Sequence, residues 1–183
     1  NDQMNVTPSA VHVLKSGRVI VGRRGHAALL TDPDNVAIEF KRWMGQNDRI
    51  NFPASRRDLS AEELSAEVLK SLREDVRRQT GEEPNAAVIT VPAAFGSLQC
   101  EATARAATLA GLEEAPLLQE PIAAAIGYGA KVHAGDQRWL VFDLAGGTLD
   151  IAVVSTRDGR LNVLEHRGNN LLGGKDIDKA IVD

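Results

Sequence analysis

Two aspartates and a glycine-rich turn lie between two apolar segments in the stretch FDLAGGTLD, Phe142 to Asp150. Consecutive backbone N–H groups in such a turn can converge on an anion, and glycine lets a phosphate approach the backbone closely. Asp143, at the end of a strand, could hold a hydrated magnesium ion. An ordinary hairpin fits the same pattern. The apolar flanks favour a phosphate site, because they place Asp143 and Asp150 at the mouth of a core, where an unpaired carboxylate is costly.

The other residues that could do chemistry give weaker patterns. Glu120 precedes Pro121 and, taken alone, is typical of a capping or surface acid. Lys41 precedes Arg42, and the two are typical of an exposed basic pair. Cys100 lies in a predicted helix and fits a small apolar filler. The four histidines show no metal-ligand spacing, which argues against a histidine metal site.

Composition sets the class of protein. The chain has 183 residues, 43% of them hydrophobic, and a net charge of −4, as expected of an ordinary globular protein. A mildly acidic chain gives no general electrostatic case for binding nucleic acid or an anionic membrane. The single cysteine and the absence of a long apolar run suggest a cytoplasmic setting. Both ends read as cuts through a larger fold.

The first third of the chain reads as short strands and turns. Val6 to Leu14 and Arg18 to Val21 are expected to form a hairpin around the sequence KSG, and Arg23 to Leu30 a short helix. Gln46 to Asp58 is polar and irregular, and it is predicted to be a linker.

The clearest helix begins after Ser60. The sequence SAEE predicts a capping box between Ser60 and Glu63. Apolar residues at every fourth position from Leu64 to Val76 predict one buried stripe. Gly81 is the expected end of the helix.

Helices and strands alternate further along. AAVITVP, ending at Pro92, fits a strand buried on both faces. Ser97 to Ala110 is expected to be a helix, PLLQEP a strand, and PIAAAIGYG a helix with Pro121 in its first turn. RWLVFDL, LDIAVVST and RLNVLEHRG then predict an antiparallel meander. This order indicates an α/β fold.

Six stretches resemble, in order, the heat shock protein 70 (DnaK-type) chaperones: NDQMNVTPSAV, FKRWMG, AAVITVPAAF, ATLAGLEEAPLLQEPIAAAIGYG, FDLAGGTLD and LLGGKDID. The resemblance implies an incomplete, N-terminal part of that family's ATPase domain. Its fold is actin-like (ribonuclease H-like), with mixed β-sheets and flanking helices in two lobes around an ATP cleft. Residues 1–134 would form the first lobe, with a shortened outer subdomain at about 9–59 and an inner one at about 60–134. Residues 135–183 would begin the second lobe.

The resemblance also implies roles for the site residues. Gly146, Gly147 and Thr148 would surround the β- and γ-phosphates. Asp143 would hold magnesium through water, and Asp150 would support the site near the γ-phosphate. Two further residues would act in catalysis: Lys41 by compensating charge on the γ-phosphoryl group, and Glu120 by orienting the magnesium shell and the attacking water.

Cofactors and partners follow from the same resemblance. ATP or ADP and Mg²⁺ are the expected cofactors, and Pro92 would be the switch that couples the nucleotide to a polypeptide-binding domain. Unfolded polypeptides, a J-domain protein and a nucleotide exchange factor are the implied partners, with neither nucleic acid nor membrane.

Three positions depart from the family pattern. Ala145 replaces the first glycine of the hairpin, and a methyl group is tolerated there only if φ is negative. Cys100 stands in place of an arginine that relays the switch, and Lys175 in place of an acid. A degenerate nucleotide-binding regulatory relative with weak or no hydrolysis is therefore one alternative. Another member of the actin and sugar-kinase superfamily is a second.

Overall fold

The structure, a computed structural model, describes residues 6–129, 136–157, 160–169 and 171–182. Its contacts divide the chain into two compact units. The first contains the described residues up to Ala87 together with Ser97–Ala115, and the second contains Val88–Gly96 and the described residues from Pro116 onward. The predicted lobe boundary at residue 134 lies outside the described residues and stays a prediction.

The first unit contains two small antiparallel sheets, of strand order β2-β1-β3 and β4-β5, and three α-helices. Short 3₁₀ turns at Ala28–Leu30, Pro33–Asn35 and Phe40–Trp43 connect them. The elements are β1 Ala10–Val13, β2 Val19–Val21, α1 Arg23–Ala27, β3 Val36–Ile38, β4 Arg49–Phe52, β5 Arg57–Ser60, α2 Ala61–Thr80 and α3 Ser97–Leu109.

The second unit contains a parallel pair of strands and a three-stranded antiparallel sheet of order β10-β9-β8. The predicted meander and the predicted helix with Pro121 in its first turn are both confirmed. The elements are β6 Ile89–Val91, β7 Leu117–Gln119, α4 Glu120–Gly127, β8 Gln137–Leu144, β9 Leu149–Arg157, β10 Arg160–Asn169 and α5 Gly174–Val182. Among the described residues, no helix combines the length and apolar character needed to cross a bilayer.

Helix α2 begins and ends as its sequence predicts. The Ser60 hydroxyl accepts a hydrogen bond from the Glu63 N–H, and the Glu63 carboxylate accepts one from the Ser60 N–H. Gly81 ends the helix with φ 78°, a conformation that favours glycine. The predicted stripe is only partly right: Leu64 is fully buried, but Leu72 and Val76 are exposed. Helix α2 is therefore held mainly by its first turns.

The linker prediction for Gln46 to Asp58 is wrong. The segment contains β4, which pairs with β5 in a hairpin that places Phe52 opposite Arg57. Phe52 is completely buried and Leu59 nearly so. Phe52 within the segment and Leu59 directly after it both reach the core, and their burial makes this polar segment part of the folded unit.

A polar network ties β1 to the β4–β5 hairpin. His12 Nε2 donates a hydrogen bond to Asp32 at 2.9 Å, and Asn35 Nδ2 donates to the same carboxylate at 2.7 Å. Asn35 Oδ1 in turn accepts from the Ala54 N–H at 2.9 Å. The hydrogen bond from Asn35, and next that from His12, lower the pKa of Asp32 below its ordinary value.

Replacing Asp32 by asparagine is expected to flatten the acid limb of the stability curve. A carboxyl whose pKa is lower in the folded than in the unfolded state stabilises the fold above its unfolded pKa. That stability is lost as the pH falls below about 4 and through the lower folded-state value. Urea unfolding between pH 6 and pH 2.5 measures the effect, with the exposed Asp34→Asn as control. An unchanged slope in Asp32→Asn contradicts the assignment.

Helix α4 covers one face of the β8–β10 sheet. Ile122 and Ala125 of α4 pack with Val154 of β9, and Trp139 and Val141 of β8 join this core. The opposite face of β8 exposes the row Leu140, Phe142 and Leu144, the first two by 73% and 62%. The expectation that both strands beside the turn are buried therefore holds for β9 alone.

The segment AAVITVP also differs from its prediction. Only Ile89–Val91 form a strand, which pairs in parallel with β7. Val88 is 63% exposed and Thr90 is exposed as well, so the strand is not buried on both faces. Pro92 directly after it is fully buried.

Candidate functional site

The glycine-rich turn is a four-residue loop that joins β8 to β9. Leu144 and Leu149 form the last pair of the ladder, and the Ala145 N–H donates to the Thr148 carbonyl at 3.0 Å. Among the described residues outside glycine, only Glu39 and Arg56 have a positive φ. Ala145 therefore meets the condition under which a methyl group is tolerated there.

The first residues of α5 dock onto this turn. The N–H of Gly174 donates to the Ala145 carbonyl at 2.9 Å, and the N–H of Lys175 donates to the Gly146 carbonyl at 3.1 Å. Both peptides are trans, so that each C=O and the following N–H point in opposite directions. The N–H groups of Gly146 and Gly147 therefore point away from α5, both on the same side of the turn. Such an arrangement suits an anion.

Two glycines permit this geometry for different reasons. A Cβ built on Gly173 would lie 2.4 Å from the Gly146 oxygen and 2.5 Å from the Gly147 nitrogen, so that no side chain fits between α5 and the turn. A Cβ built on Gly146 would meet no atom within 4 Å. The protein therefore requires a glycine at 173 for its own packing, whereas the open space at 146 is available to a ligand.

Asp143 and Asp150 are directly opposed in the β8–β9 ladder. Asp143 is exposed and Asp150 is 6% exposed. Opposed side chains lie about 5 Å apart at Cβ, and two like charges there repel each other. A hydrated divalent cation would relieve that repulsion, which fits the expected magnesium. Within the described ranges, no group of three or more histidine, cysteine, aspartate or glutamate side chains could hold a metal, so that phosphate or water oxygens would supply the other ligands.

Gly168 of β10 makes room for the buried member of this pair. It is opposite Asp150, and a Cβ there would lie 2.4 Å from Asp150 Oδ1. Neither Gly168 nor Gly173 was predicted from the sequence to have a role at this site. The doublet at Gly173 and Gly174 before a helix was the available signal, but its contact with the turn is tertiary and not visible from spacing.

Glu120 is on the same side of the sheet as the two aspartates. Asp143 and Asp150 share the face of Val141 and Val154, because alternate residues of a strand point to the same face. Helix α4 packs against that face, and Glu120 is its half-buried first residue. The second unit thus brings the hairpin, the aspartate pair and the start of α4 to one face of one sheet.

Lys41 lies in the first unit, in the 3₁₀ turn Phe40–Trp43. The buried side chains of Phe40 and Met44 anchor this turn, and Lys41 between them is exposed. Glu39 enters the turn with φ 57°, a conformation that costs a non-glycine residue about 1 kcal/mol. The catalytic role of Lys41 stays a prediction, as do those of Glu120, Asp143 and Asp150.

Pro92 and Cys100 belong to different units. Pro92 is part of the second unit, whereas Cys100 lies half-buried in α3 of the first, with a free thiol. The role of Pro92 as a switch stays a prediction.

Comparison with known proteins identifies relatives over almost the whole chain. A sequence model of the family described as Hsp70 protein matches residues 1–183. The Chaperone protein DnaK of Thermotoga neapolitana is 37% identical over 178 residues, which is 97% of this chain and 30% of that protein. The proteins of the same name from Thermotoga petrophila and Thermotoga maritima are 36% identical over the same shares. The chain thus spans about 30% of the length of these relatives.

Proposed function

Because this chain belongs to the heat shock protein 70 family, we propose that it is part of a nucleotide-binding domain that binds ATP or ADP with Mg²⁺ and hydrolyses ATP. The family's ATPase domain is actin-like, and the several small β-sheets and the helices of this chain agree with that fold. One observation carries the proposal: α5 fixes the turn with two adjacent N–H groups on one side, beside space that a Cβ at Gly146 would fill.

The chain's own residues have separate tasks in this proposal. The N–H groups of Gly146 and Gly147 bind phosphate oxygens, and the Thr148 hydroxyl adds a donor. Asp143 holds the metal through water, Asp150 supports the site near the γ-phosphate, and Glu120 orients the magnesium shell and the attacking water. Lys41 places a positive charge near the transferred group. Bound Mg·ATP supplies the reactive phosphoryl group, and catalysis by positioning and charge suffices for its transfer.

Coupling to other proteins belongs to the same proposal. In a DnaK-type chaperone the nucleotide state would control the binding of unfolded polypeptides. A J-domain protein and a nucleotide exchange factor would act as co-chaperones. Pro92 would pass on the nucleotide state. Cys100 stands in place of the relaying arginine, so that the coupling, more than the nucleotide binding, departs from the family pattern.

Replacing Gly146 by alanine is expected to reduce the affinity for Mg·ATP roughly ten- to hundredfold, because the added methyl group displaces a phosphate from at least one charge-assisted hydrogen bond. Isothermal titration calorimetry measures the change. Gly127→Ala is the matched control, since a Cβ at Gly127 also meets no atom within 4 Å. Equal affinities for the wild type and Gly146→Ala would place the nucleotide elsewhere.

Single-turnover assays on the full-length protein separate hydrolysis from binding alone, since the present chain by itself is expected to be inactive. Cleavage of bound ATP excludes the degenerate regulatory relative, whereas tight binding without cleavage favours it. Undiminished cleavage by a Lys41→Ala variant would contradict the role given to Lys41.

A further inference from the structure

A polar cavity of about 310 Å³ lies in the first unit, and no residue of the proposed nucleotide site lines it. We call it the arginine pocket. It is formed by the end of β2, by α1 and by one face of α2. Its lining residues are Ile20, Val21, Arg23, Arg24, Ser71, Asp75 and Arg78.

Close packing holds the walls of the arginine pocket in place. A Cβ built on Gly25 of α1 would lie 2.7 Å from the Ile20 oxygen and 2.9 Å from the Ala10 oxygen, so that α1 rests directly on β1 and β2. Helix α2 packs on the same two strands. The guanidinium groups of α1 and α2 therefore project from elements with a fixed separation.

The arginine pocket is positive in a chain that is negative overall. Three guanidinium groups and one carboxylate line it, which leaves an excess of two positive charges, whereas the whole chain carries −4. Asp75 forms a salt bridge with Arg78 at 2.7 Å. The side chain of Arg24 forms no hydrogen bond or ion pair with any residue that the structure describes. Its donors are available to a ligand.

We propose that the arginine pocket binds a phosphoryl group. The planar guanidinium fork matches two phosphate oxygens, and a dianionic phosphoryl group balances the two excess charges. The half-buried Ser71 hydroxyl adds a donor, and the volume is at the lower limit of small-molecule sites. A phosphorylated metabolite and a phosphorylated side chain of another protein share this chemistry.

Titration of the ¹⁵N-labelled chain with phosphoserine tests the proposal. The amide signals of residues 20–24 and 71–78 should shift, and Arg24→Gln should weaken binding at least about tenfold. The affinity of Arg24→Lys, which keeps the charge but loses the guanidinium fork, should lie between those of the wild type and Arg24→Gln. Arg77→Gln is the matched control, because Arg77 lies next to Arg78 on α2 but pairs with Glu74 and does not line the pocket.

The outcomes are separable. Shifts outside the arginine pocket, binding of serine as tight as that of phosphoserine, or equal losses in Arg24→Gln and Arg77→Gln would each overturn the proposal. A phosphoserine tetrapeptide is the second probe. Tighter binding of the peptide identifies a protein-borne phosphate, and equal binding identifies a small molecule; both support a phosphoryl site.

Discussion

Replacing Gly173 by alanine is expected to reduce the affinity for Mg·ATP by about a hundredfold or more. The added Cβ would lie 2.4 Å from the Gly146 oxygen, so that α5 and the turn must separate. Separation breaks the hydrogen bonds that the Gly174 and Lys175 N–H groups donate, and the two N–H groups proposed to bind phosphate lose their fixed direction. Each of these two turn N–H groups would form a charge-assisted hydrogen bond with phosphate that contributes about 1.5–3 kcal/mol.

Gly174→Ala is the control for this prediction, because its Cβ would lie 3.9 Å from the Ala145 oxygen, an ordinary contact. Calorimetry gives the affinities, and the amide signals of Gly146, Gly147 and Thr148 report the turn directly. Overpacking also lowers the free energy of unfolding, by about 1–3 kcal/mol, so that binding is measured well below the unfolding transition. Turn signals that move in Gly173→Ala without any loss of affinity would contradict the link between α5 and phosphate binding.

Replacing Phe52 by alanine is expected to lower the free energy of unfolding by about 3–5 kcal/mol, because a fully buried aromatic side chain leaves a cavity. A loss of this size is a large share of the total stability of a domain. Urea denaturation measures it. Leu30→Ala, at a side chain that is 91% exposed, should change the free energy of unfolding by less than about 0.5 kcal/mol. Equal, small losses in both variants would mean that β4 behaves as the linker predicted from its sequence.

Local chemistry was readable from the sequence. The capping box of Ser60 and Glu63, the stop at Gly81 and the meander each depend on residues close together in the chain, and each is confirmed. The β4–β5 hairpin was missed because its segment is mostly polar. What makes it structure is the burial of Phe52 against the rest of the unit, which periodicity over so short a stretch does not reveal.

The residues of the candidate site could be predicted from the sequence, but the contacts that hold them in place could not. The glycine-rich turn and its aspartates carry a visible pattern, and the ladder does place Asp143 opposite Asp150. The orientation of the turn comes from α5, nearly thirty residues away. Gly168 is needed only because Asp150 occupies the space beside it. Both contacts are tertiary, so that no local pattern of residue types could have shown them.

Strand β8 is the outermost strand of its sheet among the described residues, and Leu140, Phe142 and Leu144 form its uncovered row. An apolar strand with an open hydrogen-bonding edge is a template for aggregation between molecules. Samples of this chain should accordingly be kept dilute, and light scattering should accompany every titration. Aggregation through β8 would remove protein from solution without changing the turn between β8 and β9, so that a low apparent stoichiometry in a nucleotide titration would report aggregated protein and not a failure of the proposed site.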